Sequence, residues 1–204
     1  MELMAVVIII GIFATAAAPN VILRIRDARV RHVAGRIASI YRGARQRATG
    51  RGAAVLVRYA PGSGASGQAS FSTREALIGS QDPNESCPQL PNASCVNTAW
   101  DTAGSFLALS RFDLSQSPSY EGITTTFSFF SLKGNAAPNV SSRVDVCFTP
   151  GGRAYILDRT VNNATWVSVV DIPYIGVRRL QGGSQVGLER TVIVPPSGAA
   201  RLAF

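Results

Sequence analysis

The chain holds a single lysine, Lys133, and a single histidine, His32, among 204 residues. One histidine leaves no histidine-based metal set and no nucleophile–histidine–carboxylate arrangement, because each needs an imidazole held beside specific partners. His32 itself reads as a helix-surface side chain. Acidic residues are also few, 12 against 20 basic ones, for a formal charge of +8. With one lysine present, that charge is almost entirely arginine. A P-loop is missing. Gly62-Ser63-Gly64-Ala65-Ser66-Gly67 satisfies G-x-G-x-x-G, but Gln68–Ser72 behind it is strand-like. Without a helix N-terminus to face an anion, the stretch is a hairpin loop and not a dinucleotide site. No catalytic residue, cofactor or metal is therefore expected, and the chain is not read as an enzyme.

What the chain has is a long helical stretch at its start. After Glu2 an apolar run extends from Leu3 to Ala18, and Pro19 interrupts it. Leu3 to Leu23 carries no charge, and about 20 residues at about 1.5 Å each match a hydrocarbon core of about 30 Å. A cleaved secretory signal would want a basic region first and a small-residue cleavage site after; Glu2 stands at the front instead, and the helical pattern continues, so retention is expected. From Val21 to about Ala48 the pattern is amphipathic. Val30, Val33, Ile37, Tyr41 and Ala44 share one stripe, with Ile40 at its edge. Arg29, Arg31, Arg36, Arg42 and Arg47 lie off that stripe. Pro19 removes one helical hydrogen bond and is expected to kink or melt the helix between the two halves.

Glu2-Leu3-Met4, Gly11 and Pro19, at these spacings, resemble the N-terminus of type IV pilins and type II secretion pseudopilins. The resemblance implies that the Glu2 carboxylate pairs with the N-terminal amine of a neighbouring subunit and sets register in a filament. A charge at the start of a membrane helix is costly and marks function. Only Met1 precedes Glu2, where the family carries a short basic leader ending in glycine; that leader is expected to lie outside this sequence. Arg24, Arg26, Arg29 and Arg31 would by charge alone hold the following body in the cytoplasm. The resemblance implies the opposite: a bacterial inner-membrane protein, single-pass, with a periplasmic C-terminal domain.

Beyond Ala48 the helical period stops, and roughly 155 residues remain, enough for one domain with a core. Short β-rich runs appear at Ala53–Tyr59, Gln68–Ser72, Phe106–Phe112, Ile123–Leu132, Arg143–Thr149, Arg153–Asp158, Thr165–Asp171, Thr191–Val194 and Ala200–Phe204. Pro150-Gly151-Gly152 joins two of them as a hairpin, and Pro195-Pro196-Ser197-Gly198 precedes the last. The expected fold is α+β: a long helix whose amphipathic half packs on an antiparallel β-sheet or β-sandwich. The expected divisions are 1–23 for the membrane and filament-core half, 24–48 for the amphipathic half and 49–204 for the β domain. The two Pro–Gly units of the C-terminal half resemble those of GspH/FimT-type minor pilins.

Cys87 and Cys95 bracket seven residues of a loop rich in Pro, Asn and Ser that runs from Ser80 to Thr98, and the gap suits a small disulfide. The oxidising periplasm that the resemblance implies would allow it. Cys147, inside an apolar strand, is expected to be a buried free thiol. In a bacterial protein the Asn-X-Ser/Thr triplets at Asn84, Asn92, Asn139 and Asn163 are loop composition. The resemblance implies other major and minor pilins, the assembly platform of the inner membrane and a tip adhesin as partners. Membrane lipid is the nearer partner for the arginines of the helix. DNA is an alternative partner, motivated by the charge; relatives that bind it carry an arginine-bearing C-terminal motif, of which Ser197-Gly198-Ala199-Ala200-Arg201 keeps one arginine. A type II secretion pseudopilin is the other alternative to a pilus subunit.

Overall fold

A computed structural model describes residues 2–62, 68–79, 89–130, 143–159, 165–169, 171–196 and 199–203. Within 2–20 only the backbone is described, save at Met4, Val6 and Val7. Helix α1, Glu2–Arg51, is unbroken. Of the two outcomes expected at Pro19, melting does not occur. A proline removes one intrahelical bond, and the bonds on either side of it hold the helix together.

The second half of α1 is helical for the reason its period suggests. Val30, Val33, Ala34, Ile37, Ala38, Tyr41, Ala44 and Ala48 are all buried, three or four residues apart, on one stripe. Arg29, Arg31, Arg36 and Arg42 are exposed, and Ile40 is half-buried at the edge. Arg47 and Arg51 turn back onto the fully buried Glu75 carboxylate, at 2.5 and 3.3 Å. The helix stops where Gly52 takes a φ of 70°, its N–H donating to the Ala48 carbonyl at 3.1 Å.

Among the described residues eleven strands follow. A seven-stranded sheet contains β1 (Val55–Ala60), β2 (Ser70–Gly79), β3 (Gln89–Pro91), β4 (Phe106–Asp113), β6 (Val144–Phe148), β7 (Ala154–Asp158) and β8 (Val167–Ser168). A four-stranded sheet contains β5 (Ile123–Phe130), β9 (Ile172–Gln181), β10 (Ser184–Ile193) and β11 (Arg201–Ala203). The orders are β3-β2-β1-β6-β7-β8, with β4 also on β2, and β11-β10-β9-β5; every pairing is antiparallel. The α+β class is as the sequence suggests. Pro150 and Gly151 make the β6–β7 turn, with Gly152 at φ 79° and its N–H on the Thr149 carbonyl at 2.9 Å.

Alternation divides the first sheet into two faces. Val55, Val57 and Tyr59 of β1 point into a core shared by the α1 stripe and both sheets. There Tyr59 packs on Phe127 of the second sheet, rings 5.6 Å apart, and donates its hydroxyl to the Thr125 carbonyl at 2.9 Å. Ala54 and Leu56 point the other way, into a small second core with Ala76, Cys95, Trp100 and Cys147. Asp27 of the helix and Arg190 of β10 pair at 2.9 Å, fixing the helix to the second sheet.

Candidate functional site: the N-terminal helix and an arginine-lined groove

The residues expected to act in assembly lie along one rod. Glu2 stands in the first turn of α1, and Gly11 and Pro19 lie within the same helix; their side chains are outside the described residues. The helix meets the body late. Val21, Ile22, Leu23 and Ile25 are consecutive or nearly so and 48–52 % exposed, which covers more than one full turn. Met4, Val6 and Val7 are exposed too. Burial begins only at Val30. Among the described residues no helix is long and apolar enough to cross a membrane; the side chains at 8–20, the larger part of the apolar run, are not among them.

The disulfide is not the expected one. Cys95 is bonded to Cys147, with Cα atoms 5.9 Å apart. The pairing of Cys87 with Cys95 is thereby corrected, as is the free thiol at Cys147; Cys87 lies outside the described residues. Proximity along the chain did not choose the partner. Cys147 sits directly opposite Leu56 in the β1–β6 register, on the face that the 92–105 segment covers. That segment is tied down by the Ala54 N–H on the Asn92 carbonyl at 2.6 Å and the Asn92 N–H on the Ala76 carbonyl at 3.0 Å. Trp100 closes it, its indole N–H donating to the Cys95 carbonyl at 2.9 Å.

Beside this small core, on the same face, lies a charged cluster. Arg58 of β1 is opposite Asp145 of β6 in register, and both are buried. The guanidinium grips the carboxylate in a fork: Nε donates to Oδ1 and Nη2 to Oδ2, each at 2.8 Å. Its Nη1 donates to Asp101 at 2.6 Å. Asp101 also receives Arg159 at 2.8 Å, Arg143 at 3.5 Å and Arg74 at 3.7 Å. Burial pushes the Asp101 carboxyl up, but hydrogen bonding from Arg58 and the charges of Arg58, Arg143 and Arg159 outweigh it and hold the group below its ordinary value. Arg74 and Arg143 are also held below their ordinary values. Burial lowers both, and the neighbouring Arg58 charge lowers them further.

Arg58, Arg74 and Arg143 of this cluster border an open groove of about 520 Å3. Arg58 and Ala60 line it from β1, Ser72 and Arg74 from β2, and Ala108, Ser110 and Arg111 from β4, the last paired with Asp113; Arg143 lines it too. Sequence reasoning did not single out Arg58 or Asp145. The signal was there: each is one ionisable residue inside an otherwise apolar strand, which requires a partner.

The other sequence candidates are dispersed. Asn92 accepts from the Ser94 N–H at 2.9 Å, a local turn within a loop. His32 is exposed and stacks on the Tyr120 ring at 6.3 Å. The run behind Gly62 is strand β2. Arg201 is exposed on β11. Among the described residues, no three His, Cys, Asp or Glu side chains gather as a metal set. Lys133, Asn84, Asn139, Asn163 and residues 63–67 fall outside the described residues. No family model, curated protein or solved structure matches the chain.

Proposed function

We propose that this chain is a minor-pilin-like subunit: its apolar N-terminal half-helix is stored in a bacterial inner membrane, and it moves from there into a filament. The observation that carries the reading is the division of α1. One half is buried on the β domain from Val30 onward. The other presents exposed apolar side chains at positions 4, 6, 7, 21–23 and 25. Covering a half-exposed Val, Leu or Ile gains on the order of 1 kcal/mol, so the helix favours a lipid or protein cover over water. Lipid and a bundle of like helices are both apolar, so transfer between them is nearly neutral. Packing and the pairing of Glu2 with a neighbour's amine then set its direction. The β domain would face the periplasm, with other pilins, an assembly platform and a tip adhesin as its partners. A type IV pilus is the first assignment; a type II secretion pseudopilus would use the same helix.

The test follows the chain through cell fractions and sheared filaments. Wild type is expected in both membrane and filament, and Glu2→Ala in the membrane alone. Recovery of both forms only in the membrane would leave an anchored module and remove the assembly reading. Loss of filaments on deleting one secretion or pilus machine at a time assigns the apparatus.

A further inference from the structure

We propose that the groove on the outer face of the seven-stranded sheet binds phosphate groups, with Arg74 and Arg143 as the anion-facing residues and Ser72 and Ser110 as hydroxyl donors. The charge balance leads there. Among the described residues, four guanidiniums, of Arg58, Arg74, Arg143 and Arg159, meet two carboxylates within 4 Å. Asp145 is taken by Arg58 through both oxygens, with Arg159 3.8 Å away. Asp101 is then shared among all four arginines. Among the described residues the cluster therefore carries a net surplus of two positive charges in a partly buried setting, with Arg74 also donating to the Trp100 carbonyl. Side-chain exposure is 21 % for Arg74 and 35 % for Arg143, where bulk water screens poorly. Burial lowers the basicity of both side chains, and the neighbouring Arg58 charge adds to it.

The remaining walls select the anion. A groove of about 520 Å3 admits a phosphate or diphosphate group. Guanidinium forks match tetrahedral oxyanions, and hydroxyls on β2 and β4 add neutral donors. Base stacking has no platform there. The aromatic ring in the lining is Phe106, and Arg74 covers it at 4.3 Å. The recognised chemistry is thus the phosphate, whether free or carried on a polymer. Binding does not depend on filament assembly, so the two proposals fail separately.

The experiment is calorimetric titration of the full chain in a neutral detergent at about 20 mM and about 200 mM salt. The probes are pyrophosphate, a single-stranded oligonucleotide and poly-glutamate. Pyrophosphate is expected to bind at low salt, and Arg143→Gln to weaken it about tenfold. Ser110→Glu, which puts a like charge at the exposed rim, is a second variant that spares the buried cluster and should abolish the signal. Arg201→Gln, outside the groove, should change nothing. An oligonucleotide that binds far more tightly than pyrophosphate, and loses this in both groove variants, supports the site and names a polymer as source. Silence toward pyrophosphate overturns the proposal. So does binding that both groove variants leave intact, or poly-glutamate matching pyrophosphate.

Discussion

Replacing Cys95 and Cys147 together by alanine releases a cross-link between residues 52 apart in sequence. In the chain-entropy account, closing a loop of that length destabilises the unfolded chain by about 4 kcal/mol at 25 °C. A bridge from Cys87 to Cys95 would close only eight residues and give about 2.5 kcal/mol by the same relation. Both bonded cysteines are almost fully buried, so trimming each to alanine adds a small cavity term of about 1 kcal/mol or less. Against a domain stability of roughly 5–15 kcal/mol, the total is a large share. Trp100, hydrogen-bonded to the Cys95 carbonyl, lies inside the bridged segment and reports it by fluorescence. In urea the double variant should unfold about 2 M earlier than the oxidised wild type. Cys87→Ala should stay within about 0.5 kcal/mol of wild type. A non-reducing peptide map that joins Cys87 to Cys95 would refute the reasoning, as would a Cys87→Ala variant as unstable as Cys147→Ala.

Three further outcomes are expected. Ile37→Ala, at a fully buried stripe position, should cost about 2–5 kcal/mol in chemical unfolding, while Arg36→Ala on the exposed face should cost less than about 0.5; equal effects would mean the stripe is not the packing face. Tyr41→Phe should leave stability unchanged or raise it by about 1 kcal/mol, because the buried hydroxyl has no hydrogen-bond partner among the described residues; a clear loss would reveal a partner. Asp101 is held below its ordinary carboxyl value, so it stabilises the fold above that value, and the contribution is lost as pH falls through the folded value. Acid unfolding below about pH 4 should therefore flatten in Asp101→Asn, and an unchanged acid profile would remove Asp101 from the linkage.

The helix was the most legible element because one face is buried and the other is not. Period 3.6 then appears directly in Val30, Val33, Ile37, Tyr41 and Ala44. Ala34, Ala38 and Ala48 share the burial, but alanine suits a helix anywhere and marks no face. β1 and β6 are buried on both faces and were legible for another reason, as short apolar, β-branched runs set off by turn residues. Most of the β9–β10 ribbon was not. Ser184–Glu189 is exposed almost throughout, so no alternation betrays it, although Gly182-Gly183 between the strands is a hairpin signal. β2 runs on to Gly79, past the expected Ser72, through Arg74 and Glu75, whose charges hid a strand that ion pairs make buriable. The disulfide and the arginine cluster are products of topology. Leu56 opposite Cys147, and Arg58 opposite Asp145, are facts of register between strands about 90 residues apart in sequence.

The union of Asp27 with Arg190 joins positions 163 residues apart. The helix is therefore synthesised well before β10, the strand it rests on. Until β10 arrives, the stripe from Val30 to Ala48 has only part of its cover, and every contact that completes it carries a long loop to close. Maturation of the body is thus a late, global event. During synthesis the emerging chain holds an open apolar surface, which is where a holding chaperone or the membrane surface itself would act.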